Sequence, residues 1–102
     1  MAKYLILYKV NPATQPADPK VALKEAEVNL AAAEELLKAG IFKEAGSFNP
    51  GDGYIIAEFP SLEEALKLGQ RFWPGITMEI REIISWEKTN EIVLSTLKEK
   101  AE

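Results

Sequence analysis

The chain has 102 residues, 47% of them hydrophobic and 27% charged, and a formal charge of −4. That length suits one compact domain, the acidic balance disfavours nucleic acid or anionic lipid as a partner, and no apolar run approaches the roughly 20 residues that span a bilayer. With neither cysteine nor histidine in the chain, thiol nucleophiles, Cys- or His-built zinc sites, imidazole- or thiolate-ligated haem and Ser-His-Asp triads are excluded. No metal or cofactor is expected, and acid–base work falls to Glu, Asp, Lys, Tyr or Arg.

The start, MAKYLILYKV, has too short an apolar run for a signal peptide and no small-residue cleavage site. It reads as a first strand over residues 3–10 of a cytoplasmic protein, ended by the breaker Asn11-Pro12. Asp18-Pro19 supplies a helix N-cap followed by proline in the first helical position, where its missing N–H costs nothing. Leu23, Ala26, Leu30, Ala33 and Leu37 then recur at steps of three and four as one apolar stripe, and Gly40 marks the helix stop. IFKEAGSF and GYIIAEF, residues 41–48 and 53–59, flank the turn cluster NPGDG and predict a hairpin. Ser61-Leu62-Glu63-Glu64 is a capping box that opens a second helix, with Leu62, Ala65, Leu66, Gly69 and Phe72 as its inner face. ITMEIREIISW, residues 76–86, predicts a fourth strand whose alternation fails at Ile83-Ile84, as at a bulge or a sheet edge. Residues 87–102 read as a short helix with Ile92, Val93 and Leu97 on its apolar side.

The order β-α-β-β-α-β plus a terminal helix is the split-βαβ, ferredoxin-like α+β arrangement, a single domain over residues 1–102. Right-handed crossovers place its antiparallel strands in the order 4-1-3-2, with both long helices on one face. Alternation along the strands assigns Leu5, Leu7, Ile55, Ala57, Phe59, Ile76, Met78 and Ile80 to the helix face. The other face then carries Tyr4, Ile6, Tyr8, Val10, Tyr54, Ile56, Glu58, Thr77, Glu79, Arg81 and Ile83. So apolar a face calls for a cover, and a second copy of the same sheet is the economical one. Two facing sheets would enclose a cavity of mixed lining into which Glu58 points.

KYLILYKV at the start, GYIIAEF with its glutamate, and this order of elements together resemble the dimeric α+β barrel superfamily. Muconolactone isomerase and the small antibiotic-type monooxygenases belong to that group, and the chain is most similar to a small uncharacterised family within it. The likeness covers residues 3–86 as a pattern of elements. It implies a homodimer whose sheets close a barrel and names no reaction. Histidine-dependent chemistry of the superfamily does not carry over, because the chain has no histidine.

Glu58 is the candidate catalytic residue, as a cavity acid whose proton affinity burial would raise. The competing reading pairs it with Arg81 or a tyrosine hydroxyl as a structural carboxylate. Tyr4, Tyr8 and Tyr54 are candidate ligand contacts through their hydroxyls, or packing residues of the sheet. Arg81, with Glu79, could anchor an anion or form a cross-strand charge network. Trp73 could line the cavity mouth or simply anchor a helix end, and Lys3 and Lys9 read as strand-end residues reaching solvent. Two functions follow from this set. One is a homodimer that binds a small organic molecule between its sheets, as a cofactor-free isomerase or monooxygenase-like enzyme would. The other is a non-catalytic oligomerisation or regulatory module whose second sheet face is a dimer core.

Overall fold

A computed structural model describes residues 1–102. In chain order it contains β1 (Ala2–Val10), a 3-10 turn (Pro12–Thr14), α1 (Pro19–Lys38), β2 (Phe42–Asn49), β3 (Asp52–Phe59), α2 (Leu62–Phe72), β4 (Ile76–Ile83) and α3 (Trp86–Ala101). The strands form one antiparallel sheet in the order β2-β3-β1-β4. This is the expected α+β, ferredoxin-like order read from its other edge.

Local chemistry sets each boundary. The Asp18 carboxylate accepts a hydrogen bond from the Lys20 N–H at 2.9 Å, and Gly40 ends α1 with a positive φ of 77°, open to glycine at little cost. The Ser61 hydroxyl accepts from the Glu64 N–H at 3.3 Å, and Ser85 does the same for Lys88 at 3.1 Å. Each satisfies an amide that the first helical turn leaves unpaired. Asn11 ties the end of β1 to the α2–β4 turn, its side-chain amide donating to the Pro74 carbonyl at 3.2 Å. β4 ends at Ile83, so the lost alternation marks the end of an edge strand.

The helix face of the sheet holds Tyr4, Ile6, Phe42, Ile55, Ala57 and Phe59, closed by Ala65 and Leu68 of α2. Tyr4 meets Phe59 edge-on with ring centroids 6.0 Å apart. β3 and β4 face as expected, whereas β1 is reversed. Tyr4, Ile6 and Tyr8 point toward the helices, because their register partners Ala57, Ile55 and Gly53 do. Leu5 and Leu7 lie on the other face, opposite Ile56 and Tyr54.

Gly53 and Tyr8 explain this register. A Cβ built on Gly53 would lie 2.1 Å from the Gly46 carbonyl oxygen and 2.6 Å from the Tyr8 hydroxyl. Glycine therefore opens the space that the tyrosine occupies. The Tyr8 hydroxyl donates to the Gly46 carbonyl at 3.1 Å and lies 3.0 Å from the Ser47 hydroxyl. A register one residue away would set over Gly53 either Leu7, which has no donor, or Lys9, whose charge would be turned toward the helices.

The helices also differ from the expected faces. α1 buries no residue. Ala22, Asn29, Ala32, Ala33 and Leu36 are its half-buried positions, while Leu23 and Leu30 are 61% and 67% exposed. In α2 the buried residues are Ala65 and Leu68, and Leu62 and Leu66 are exposed. α3 buries nothing and runs on past the end of β4. The molecule accordingly measures 65 × 28 × 23 Å, with a radius of gyration of 17.6 Å, against about 13 Å for a compact chain of this length.

Candidate functional site

The face of the sheet turned away from α1 and α2 has no cover from its own chain. Its rows follow from strand register, since directly opposed residues of antiparallel strands share a face. One row runs Tyr54, Leu7, Glu79, and the next Glu44, Ile56, Leu5, Arg81. Beyond them lie Glu58, Lys3 and Ile83 at one end, and Asp52, Lys9 and Thr77 at the other. The result is an apolar centre of Leu5, Leu7, Ile56 and Tyr54 inside a frame of charged residues. A shallow hollow of about 430 Å³ sits at the Lys9 end, bordered by Leu7, Lys9, Phe48, Asp52, Thr77 and Glu79.

Tyr54 is the best-held polar group at the centre. It lies across Gly46 of β2, where an added Cβ would come within 2.6 Å of the ring. Phe48 stacks on it at a centroid distance of 5.9 Å and an interplanar angle of 27°. Its hydroxyl donates to the Glu44 carboxylate. That hydrogen bond, then burial and the Glu44 charge, holds the phenol proton above its ordinary range. Tyr54 therefore stays a neutral donor at physiological pH, with Glu44 as its acceptor.

Glu58 belongs to this face, as expected, but sits at its end and forms an ion pair with Lys43 at 3.3 Å. With side-chain exposures of 35% for Glu58 and 46% for Lys43, the pair is wet at one side. Arg81 is not its partner, since its guanidinium Nε donates to Glu79 at 3.0 Å on the same edge strand. The placement of Tyr4 and Tyr8 on this face is corrected. Tyr4 is 1% exposed beneath the helices, where burial and then the nearby Glu82 charge raise its phenol above the ordinary range. Tyr8 is committed to Gly46 and Ser47 on the same side. Trp73 is 57% exposed at the C-cap of α2, at the turn into β4.

Sequence reasoning missed Glu44, Lys43, Phe48 and the hollow beside Lys9. The signal lay in the hairpin, because a fixed turn fixes which β2 residues oppose Tyr54 and Glu58. Irregularities between Phe42 and Glu44 and between Ser47 and Asn49 shift that register, so counting back from the turn fails.

On the helix side a second hollow of about 540 Å³ opens between α1 and the sheet. Leu30, Ala33 and Leu37 form one wall, and Phe72, Ile76 and Met78 the other. No family model, no curated protein and no solved structure matches the chain.

Proposed function

We propose that this protein is a homodimer of the dimeric α+β barrel type, its two open sheet faces closing over a space that binds a small organic molecule. The observation that carries the reading is the uncovered face, apolar at its centre and charged around its edge. A contiguous apolar patch rimmed by polar residues is the mark of an interaction surface. One chain exposes 7632 Å², whereas a compact 11.3 kDa chain exposes about 5,700 Å², an excess that the projecting α3 shares with the open sheet face.

Within the enclosed space Tyr54 is the group best suited to recognise a ligand oxygen. Its hydroxyl is fixed by Glu44 and its ring by Phe48, so little freedom is lost on binding. The hollow beside Lys9 would accept the ligand's polar end, with Lys9 as a donor and Asp52 and Glu79 as acceptors. Should the chain also turn over its ligand, as a cofactor-free isomerase or monooxygenase would, Tyr54 with Glu44 is better placed than Glu58. The second reading, a non-catalytic oligomerisation or regulatory module, gains from the ion pairs Glu58–Lys43 and Arg81–Glu79. They leave Glu58, the catalytic candidate, and Arg81, the candidate anion anchor, already engaged.

Light scattering at micromolar concentration should return about twice the chain mass of 11.3 kDa. Leu7→Glu, which sets a charge at the apolar centre, should give a monomer that keeps its circular dichroism spectrum. Native mass spectrometry of the dimer should find a small molecule retained in the wild type and lost in Tyr54→Phe/Glu44→Gln. A folded wild-type monomer at tens of micromolar would refute the dimer. A dimer without ligand, insensitive to the site substitutions, would favour the module reading.

A further inference from the structure

α1 rests on β2, and α2 on β4 and β3, so the helix face of the sheet stays open along the gap between the two helices. The hollow of about 540 Å³ lies in that gap. Its volume falls within the roughly 300–1,000 Å³ of small-molecule sites, whereas a packed domain interior has few voids larger than a water molecule. Phe42 and Ile55 lie at its floor, Leu30 and Leu37 on one wall, and Phe72 and Met78 on the other. A cavity so lined favours an apolar guest over water.

The polar groups of the hollow gather at one end. The short connection Ala39–Ile41 turns α1 back on β2, which brings Leu37 level with Phe42. Asn29 is about 12 Å back along α1 from Leu37, and Gly46 about 13 Å along β2 from Phe42, so these two come level as well. Ser47 follows Gly46 and heads the cross-strand row Ser47, Gly53, Tyr8, Met78.

The hydrogen bonds at that end decide what a ligand must bring. Tyr8 spends its one hydroxyl hydrogen on the Gly46 carbonyl, 3.1 Å away. In its 3.0 Å contact with Ser47 the donor is then Ser47, whose own hydrogen is spent in turn. Both hydroxyl oxygens keep lone pairs, and neither keeps a hydrogen. Half-buried Asn29 adds an amide that no hydrogen bond within the chain engages. Glu34 is the one charged residue bordering the hollow, which has no lysine or arginine in its lining. A carboxylate or phosphate would therefore meet acceptors and a like charge. A cation would lose its water against apolar walls.

We infer that the gap between α1 and α2 binds a neutral, largely apolar molecule through one O–H or N–H donor, accepted by the Ser47 hydroxyl oxygen, with the Asn29 amide at the same end. This site is on the opposite side of the sheet from the proposed ligand space and does not depend on it.

N-phenylnaphthylamine is a suitable probe, being neutral and apolar with a single N–H, and it fluoresces brightly only out of water. Its emission should rise saturably, at one molecule per chain. The chain has two methionines, Met1 and Met78. With isotope-labelled methionine methyls, the Met78 resonance should shift on binding while that of Met1, 90% exposed, stays in place. Ala33→Phe, which extends a ring from the α1 wall into the hollow, should abolish binding and keep the circular dichroism spectrum. Ser47→Ala should weaken binding about three- to tenfold, the worth of one hydrogen bond. Leu7→Glu, on the other face, should bind the probe as the wild type does. Naphthol should bind, and naphthoate, its anionic counterpart, should not. No rise in emission or an unmoved Met78 resonance would overturn the inference. So would binding that survives Ala33→Phe, ignores Ser47→Ala, is lost in Leu7→Glu or prefers naphthoate.

Discussion

Gly53→Ala tests the register that places every residue of the site. The new methyl would stand 2.1 Å from the Gly46 carbonyl oxygen, 2.6 Å from the Tyr8 hydroxyl and 2.8 Å from Ser47 Cα. Two of these neighbours are backbone, so the strain cannot be relieved by a rotamer change. β2 and β3 must part by about 1 Å or Tyr8 must leave its carbonyl. Overpacking of this kind costs about 1–3 kcal/mol, and losing the Tyr8 hydrogen bond about 1 kcal/mol more. The stiffer unfolded chain returns about 0.4–1 kcal/mol. The net loss of roughly 2–3 kcal/mol should lower the melting temperature by on the order of 10 °C, read by circular dichroism at matched protein concentration. Gly46→Ala is the control. Its methyl meets only the Tyr54 side chain, 2.6 Å from the ring, so the added cost of Gly46→Ala should largely vanish when it is made in a Tyr54→Ala background. Tyr8→Phe should give no such rescue to Gly53→Ala. A Gly53→Ala protein melting within 2 °C of the parent would refute the reasoning.

Tyr54 and Tyr4 both hold their protons above the ordinary phenol value of 10.0. Ultraviolet titration should show these two phenols ionising late, and Glu44→Gln should bring Tyr54 back down. Because the folded values are raised, their contribution to stability is complete below the unfolded value near 10.0 and is lost as pH rises through the folded ones. Stability that stays flat as pH rises through the measured titrations of Tyr4 and Tyr54 would contradict this. Glu58→Gln should change stability by at most about 1 kcal/mol, since an ion pair open to water is worth little. A loss near 3 kcal/mol in chemical denaturation would mean the pair is buried on dimerisation.

The order of elements, the caps and the topology were legible in the sequence, because turn and cap residues act on their own neighbours. Asp18-Pro19, Ser61 and Gly40 need no distant partner to start or stop a helix. β3 could be assigned its faces from sequence as well, since its alternation sets Glu58 and Tyr54 apart from Ile55, Ala57 and Phe59. β1 could not. KYLILYKV is apolar at both parities, and a one-residue slip moves every side chain to the other face without altering the pattern. The choice was made across strands, by the space that Gly53 leaves for Tyr8 and the carbonyl that Tyr8 caps. The same limit applies to α1, where periodicity found a leucine stripe but could not say what it packs against. Burial of apolar surface is non-directional. A stripe asks to be covered, and only the packed molecule decides that Ala32, Ala33 and Leu36 are half-buried while Leu23 and Leu30 stay exposed. Lys43 for Glu58 and Glu44 for Tyr54 were decided at that level too, by a hairpin whose irregular register no count along the chain recovers.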